Sequence, residues 1–142
     1  MIRKFTRLWA ILGDVRGVAV VEFAFIAPIL MMLTLGILDV GRAMHALNTM
    51  EYTAKEAARY ASVRGSASAS PASQDDIAKF VKNGAIGLDA KKMTVQVSWA
   101  PNNSPGSAVA VDIAYDFNSM LVGIFKSDPW RFTAGSTFII SH

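Results

Sequence analysis

Glu22 has the most unusual setting of any ionisable residue in this sequence. It is the one charged side chain in an apolar run from Val18 to Leu38, where Thr34 is the only other polar side chain. A carboxylate deep in hydrocarbon costs about 2.5–3.5 kcal/mol or more, so its presence there needs a reason. Gly17 stands five residues before it. Cleavage between Gly17 and Val18 would create an α-amino group, which ordinarily titrates near ~7.7–8.0 and is cationic at neutral pH. Glu22 then has two readings. In a helix that starts at Val18 it lies only ~6 Å along the axis, close enough to reach the aqueous interface and do nothing more. Inside an assembly it could instead pair with the Val18 amine of a neighbouring subunit and set the register of stacked helices.

The other reactive residue types carry less. Asp112 and Asp116 are four apart in an alternating run, so they share its outward face. Paired carboxylates can do acid/base work or bind a cation, but no third ligand stands near them, and a solvated face is expected. His45 is one of two histidines, with Asp39 and Arg42 at helical spacing. No second ligand pair accompanies it, so it reads as an interfacial polar residue. The serines of Ser66-Ala-Ser-Ala-Ser have no adjacent base. The chain has no cysteine, which removes thiolate chemistry and Cys-based zinc sites. The expectation is a protein with no catalytic residue, no metal and no cofactor: chemistry is done to this chain, not by it.

The elements that must position Glu22 follow from charge and hydropathy. Residues 1–17 hold four Lys/Arg against one Asp, whereas the remaining 125 residues hold ten of each sign. The basic character therefore belongs to the leader, and the rest has no basic cluster for nucleic acid. Ile2, Phe5, Leu8, Trp9 and Leu12 recur at helical spacing between the basic residues. They give either a basic amphipathic helix on a membrane surface or a basic tail. Both keep the N-terminus in the cytoplasm. Behind the leader, 21 apolar residues give roughly 31 Å of helix, enough to cross a bilayer core. The overall hydrophobic content of 52% agrees with membrane association. A cleavable secretory signal fits poorly, because its apolar region is shorter and its small residues come after it. Pro28 removes one donor within the run, which a membrane helix tolerates.

The helical pattern continues past the membrane exit. Ala43, Ala46, Leu47, Met50, Ala54, Ala57, Ala58 and Ala61 fall three and four apart and form a stripe of mostly small side chains. The stripe either receives a sheet or meets helices of other subunits, and the sheet is favoured for Ala54, Ala57, Ala58 and Ala61. Gly65 is the expected cap of the helix. The organisation is then a leader over 1–17, a long helix over 18–65 with a membrane span of about 18–40, a mobile linker over 66–73 and an outer domain over 74–142. Within the outer domain, Ser73 caps a short amphipathic helix over about 74–86. Residues 93–99 and 109–117 alternate as two strands joined by the turn Pro101–Gly106. Residues 118–130 form a longer connection with room for a short helix, and 132–140 read as a third strand. The fold class is α+β: a long N-terminal helix, membrane-spanning in its first half, packed by a small antiparallel sheet of about three strands.

The string Gly17-Val-Ala-Val-Val-Glu22-Phe23-Ala24, with Pro28, Gly36, Gly41-Arg42 and Ala57-Ala58-Arg59-Tyr60-Ala61, resembles the TadE-like minor pilins, or pseudopilins, of the tight-adherence (Tad/Flp) pilus system. The motif block covers residues 16–64. The resemblance implies a pilin-like fold and cleavage between Gly17 and Val18 by a prepilin peptidase. It also implies a register role for Glu22 and Phe23. The major pilins of such systems are shorter and carry Glu-Tyr here, so Phe23 and the sizeable outer domain point to a minor component. The implied partners are the prepilin peptidase, other Tad/Flp pilins and minor pilins, the inner-membrane assembly platform and the lipid bilayer, with no nucleic acid. The implied location is the bacterial inner membrane, with the C-terminal domain periplasmic or carried into the surface pilus. The competing reading is an uncleaved single-pass anchor whose outer domain is an adaptor for a secretion machine.

Overall fold

The computed structural model describes residues 15–121 and 128–141. The leader helix expected over residues 2–12, and Ile124 and Phe125 of the 118–130 connection, lie outside them. The chain divides into two compact units, Met1–Leu38 and Asp39–His142. The helix α1, Val15–Ser62, contributes to both.

In the first unit α1 is a bare apolar helix. Val18, Phe23, Phe25, Ile29, Met31 and Ile37 are all more than half exposed. The hydroxyl of Thr34 donates to the Leu30 carbonyl at 2.8 Å, so the one neutral polar side chain of the run is satisfied within its own helix. Such a surface is stable only against apolar surroundings. The helix is long and apolar enough to serve as a membrane anchor.

In the second unit the same helix turns amphipathic. Ala46, Met50, Ala54, Ala57, Ala58 and Ala61 are buried. They share one core with Val97 of β1 (Met93–Ala100) and with Val109, Val111, Ile113, Tyr115 and Phe117 of β2 (Ala108–Phe117). Alanine favours the helix and leaves little bulk between helix backbone and sheet. β3 (Trp130–Ile139) completes a three-stranded antiparallel sheet of order β1-β2-β3. In the register Met93 faces Tyr115, and Phe117 faces Trp130. Side chains alternate across such a sheet, so the five alternate apolar residues of β2 all point inward. Full burial of an aliphatic side chain stabilises by about 1.5–3 kcal/mol, and β2 supplies the largest share of the sheet's contribution.

The helix α2, Gln74–Gly84, packs Ile77 and Val81 into the same core. Its N-terminus is closed by a reciprocal capping box between Ser73 and Asp76. Hydrogen bonds from the Ser73 side chain and backbone hold the Asp76 carboxyl below its ordinary value. Phe80 of α2 stacks on Tyr60 of α1 at 4.7 Å between centroids, and Arg64 covers the other side of Tyr60.

Two expectations give way. α1 ends at Ser62, and Gly65 does not take the left-handed conformation of a capping glycine. The Ser62 carbonyl instead accepts the Ser141 N–H at 2.9 Å, a partner from the far end of the chain. Segment 66–73, expected as a mobile linker, is fastened: the Ser66 N–H donates to Asn103, the Ala72 N–H donates to Arg64, and Ala72 is buried.

Gly87 does take the left-handed conformation, with φ of 83°, and a Cβ there would stand 3.1 Å from His45 Nε2. Left-handed backbone costs a non-glycine residue roughly 1–2 kcal/mol. Gly87→Ala is therefore expected to lower the unfolding free energy of the second unit by about that amount, read from denaturant titration of the chain in detergent. A change below a few tenths would contradict this account of the turn.

Candidate functional site

The first candidate site is the start of α1. Gly17 and Val18 are already helical, and nothing lies within 4 Å of where a Gly17 Cβ would be. Val18 and Phe23 are exposed, at 55% and 67%. Glu22 is also exposed, and among the described residues it has no hydrogen-bond or ion-pair partner. Val18 and Glu22 are four apart, so they lie one turn apart on the same helix face. This places an unpaired carboxylate next to the one peptide bond whose hydrolysis would supply a cation. Nothing in the first unit shields either group.

The alanines Ala54, Ala57, Ala58 and Ala61 are elsewhere, in the second unit, each no more than 1% exposed. The sheet occupies them, and they present no surface to another subunit. Asp112 and Asp116 lie on the outer sheet face. Asp116 is 3.9 Å from Arg131, and Asp112 lies across Gly135, where a Cβ would collide with its carboxylate. Among the described residues no three His, Asp or Glu side chains gather as metal ligands.

The sequence gave no sign of a second polar centre, built on Asp39. This residue is the first after the apolar run and is 5% exposed. Its carboxylate accepts the Ser119 hydroxyl at 2.6 Å, the Met120 N–H at 3.0 Å and the Leu121 N–H at 3.0 Å. Helical geometry begins at Met120, so Asp39 caps the start of that turn from another element, satisfying donors that a helix leaves open. Arg42, one turn along α1, donates to the same carboxylate at 3.0 Å. Its guanidinium also lies 5.3 Å from the centre of the Phe117 ring, which stacks on Phe132. Burial alone would raise the Asp39 carboxyl. The Met120 N–H, the Ser119 hydroxyl, the Leu121 N–H and the Arg42 charge outweigh burial and hold it at about 2. Asp39 thus fastens the membrane-proximal turn of α1 to the connection between β2 and β3. A lone acid with an arginine three residues on was visible in the sequence. Its partners are eighty residues away, and nothing local points to them.

Comparison with known proteins supplies one match. The family model described as TadE-like protein matches residues 17–59. It begins at Gly17 and includes Glu22 and Asp39 but none of the sheet. No curated protein and no solved structure matches the chain.

Proposed function

We propose that this chain, TadE-like over residues 17–59 and so related to the Tad pilus, is a minor pilin of a Tad/Flp-type system. It inserts into the bacterial inner membrane with the N-terminus inside and the second unit outside. A prepilin peptidase hydrolyses the Gly17–Val18 bond. The mature subunit then acts in pilus assembly, by priming or capping, and so in surface adherence. Its partners are other Tad/Flp pilins and the inner-membrane assembly platform, and it is not an enzyme.

The observation that carries this reading is the unpaired Glu22, one turn beyond an unshielded Gly17–Val18 bond at the mouth of an exposed apolar helix. Hydrolysis leaves the Gly17 carboxylate on the released leader and an ammonium on Val18. The Glu22 of an adjoining subunit can receive that ammonium where helices stack in a low-dielectric bundle. The leader keeps its positive charge inside and stays behind.

Mass spectrometry tests the first step. Co-expression with a prepilin peptidase is expected to yield a chain whose N-terminal residue is Val18. An intact leader under those conditions would favour the second reading, an uncleaved anchor whose outer unit is an adaptor for a secretion machine. One observation speaks for that reading: Gly17 and Val18 sit within continuous helix, whereas proteolysis concentrates where backbone is loose. Cleavage therefore requires the first turn of α1 to unwind in the peptidase.

A further inference from the structure

We infer that the end of the second unit bearing Asp39 is a lipid-seating surface. On this inference Ile86, Met120 and Trp130 lie in the headgroup layer of the bilayer that holds the apolar run. The inference rests on the anchor reading of α1 and adds a contact that the anchor alone does not require.

Three exposed apolar side chains gather at this end, each tied to it by a separate contact. Met120 is 49% exposed, and its N–H lies 3.0 Å from the Asp39 carboxylate. Trp130 is 53% exposed and is paired with Phe117, whose ring lies under Arg42. Ile86 is 79% exposed and precedes Gly87, which abuts His45. His45 follows Asp39 by about 9 Å of helix rise. Elsewhere on the sheet such side chains point into the core, so their exposure here lacks a packing reason.

Continuity of the chain identifies what covers them. Leu38 ends the apolar run and Asp39 opens the second unit. A run of 21 residues spans roughly the 30 Å hydrocarbon core. Asp39 therefore lies near the boundary between hydrocarbon and headgroups, and the Met120 backbone, bonded to it, lies near the same depth. Interfacial tryptophan is favoured at that level because its ring is apolar and its N–H is polar. The charges at this end balance. Lys91, Lys92 and Arg131 stand against Asp89, Asp116 and Asp128, while Arg42 is engaged by Asp39. The seat is thus apolar and indifferent to headgroup charge, so it fits a zwitterionic bilayer as well as an anionic one.

The test uses the full chain reconstituted in phosphatidylcholine vesicles containing a headgroup spin-labelled phosphatidylcholine. The sequence has three tryptophans. One variant, Trp9→Phe with Trp99→Phe, leaves Trp130. A second, Trp9→Phe with Trp130→Phe, leaves Trp99, which is six residues beyond Met93 and about 20 Å up the sheet. Quenching of Trp130 is expected to exceed that of Trp99 several-fold. It should stay the same when a third of the lipid is replaced by phosphatidylglycerol, and it should fall when Ile86 and Met120 are both changed to Ser. Equal quenching of the two tryptophans, in protein that still floats with the vesicles, would overturn the seat and leave the anchor standing. Failure to float would overturn the anchor and the seat together.

Discussion

Asp39→Ala is expected to lower the unfolding free energy of the second unit by about 2–3 kcal/mol, a large share of a small domain's stability. The substitution strips the cap from the turn at Met120 and leaves the Ser119 hydroxyl and two backbone N–H groups without their carboxylate. Hydrogen bonds to a charged group are worth about 1.5–3 kcal/mol each in buried settings, and their losses overlap rather than add. The Arg42 pair contributes little of this, because its side chain is 47% exposed and solvent screens it. Asp39→Asn keeps one acceptor and a good capping residue, so it should lose less than Ala.

Acid should act on the same contact. The folded carboxyl is held at about 2, against 3.8 for the free group. The unfolded chain therefore binds the proton more readily, and the contribution of Asp39 is complete above about pH 4. It declines as pH falls through the interval down to about 2. Denaturant titrations in detergent at pH 6 and pH 3 would show this as a smaller acid loss in Asp39→Asn than in the parent chain. An unchanged midpoint for Asp39→Ala at pH 6 would mean that the contact is idle.

Glu22→Ala should produce the larger functional effect without harming the fold. Glu22 touches no described residue, and removing a carboxylate from the apolar run eases insertion. Membrane levels should therefore hold or rise. Incorporation into fibres should fall at least about tenfold, since a charge pair at contact distance under partial solvation is worth about 4 kcal/mol and tenfold corresponds to about 1.4. Glu22→Gln should fall nearly as far, because shape without charge cannot hold an ammonium. The measurement is the ratio of sheared surface fibre to membrane-bound subunit, with cleavage at Gly17 followed separately. Equal incorporation of parent and Glu22→Ala would remove the register role.

The parts of this molecule that sequence made legible are those set by local periodicity. The alternation from Val109 to Phe117 names the inward face of β2, and all five of those residues are buried. Ser73 with Asp76 names the start of α2. The setting of Glu22 within its run needs no tertiary information at all. The hidden parts are contacts closed across long sequence separations. Gly65 looked like a stop signal, yet the carbonyl it was expected to help satisfy is taken by Ser141. The small polar residues 66–73 looked loose because their partners, such as Asn103, belong to a turn thirty residues on. Asp39 looked like part of a helix face because its role depends on Ser119.

The bond between Ser62 and Ser141, together with the burial of Ile140, bears on biosynthesis. A chain exported N-terminus first delivers the α1 stripe long before the strands that cover it. The last strand and the closing contact arrive only when residues 130–141 have left the translocation channel. During that interval the helix must wait with its inner face wet. A face of alanines exposes far less apolar area than one of leucines would, so the waiting segment offers little grip to other nascent chains. The small side chains that let the helix sit close to the sheet also make its delay in the periplasm tolerable.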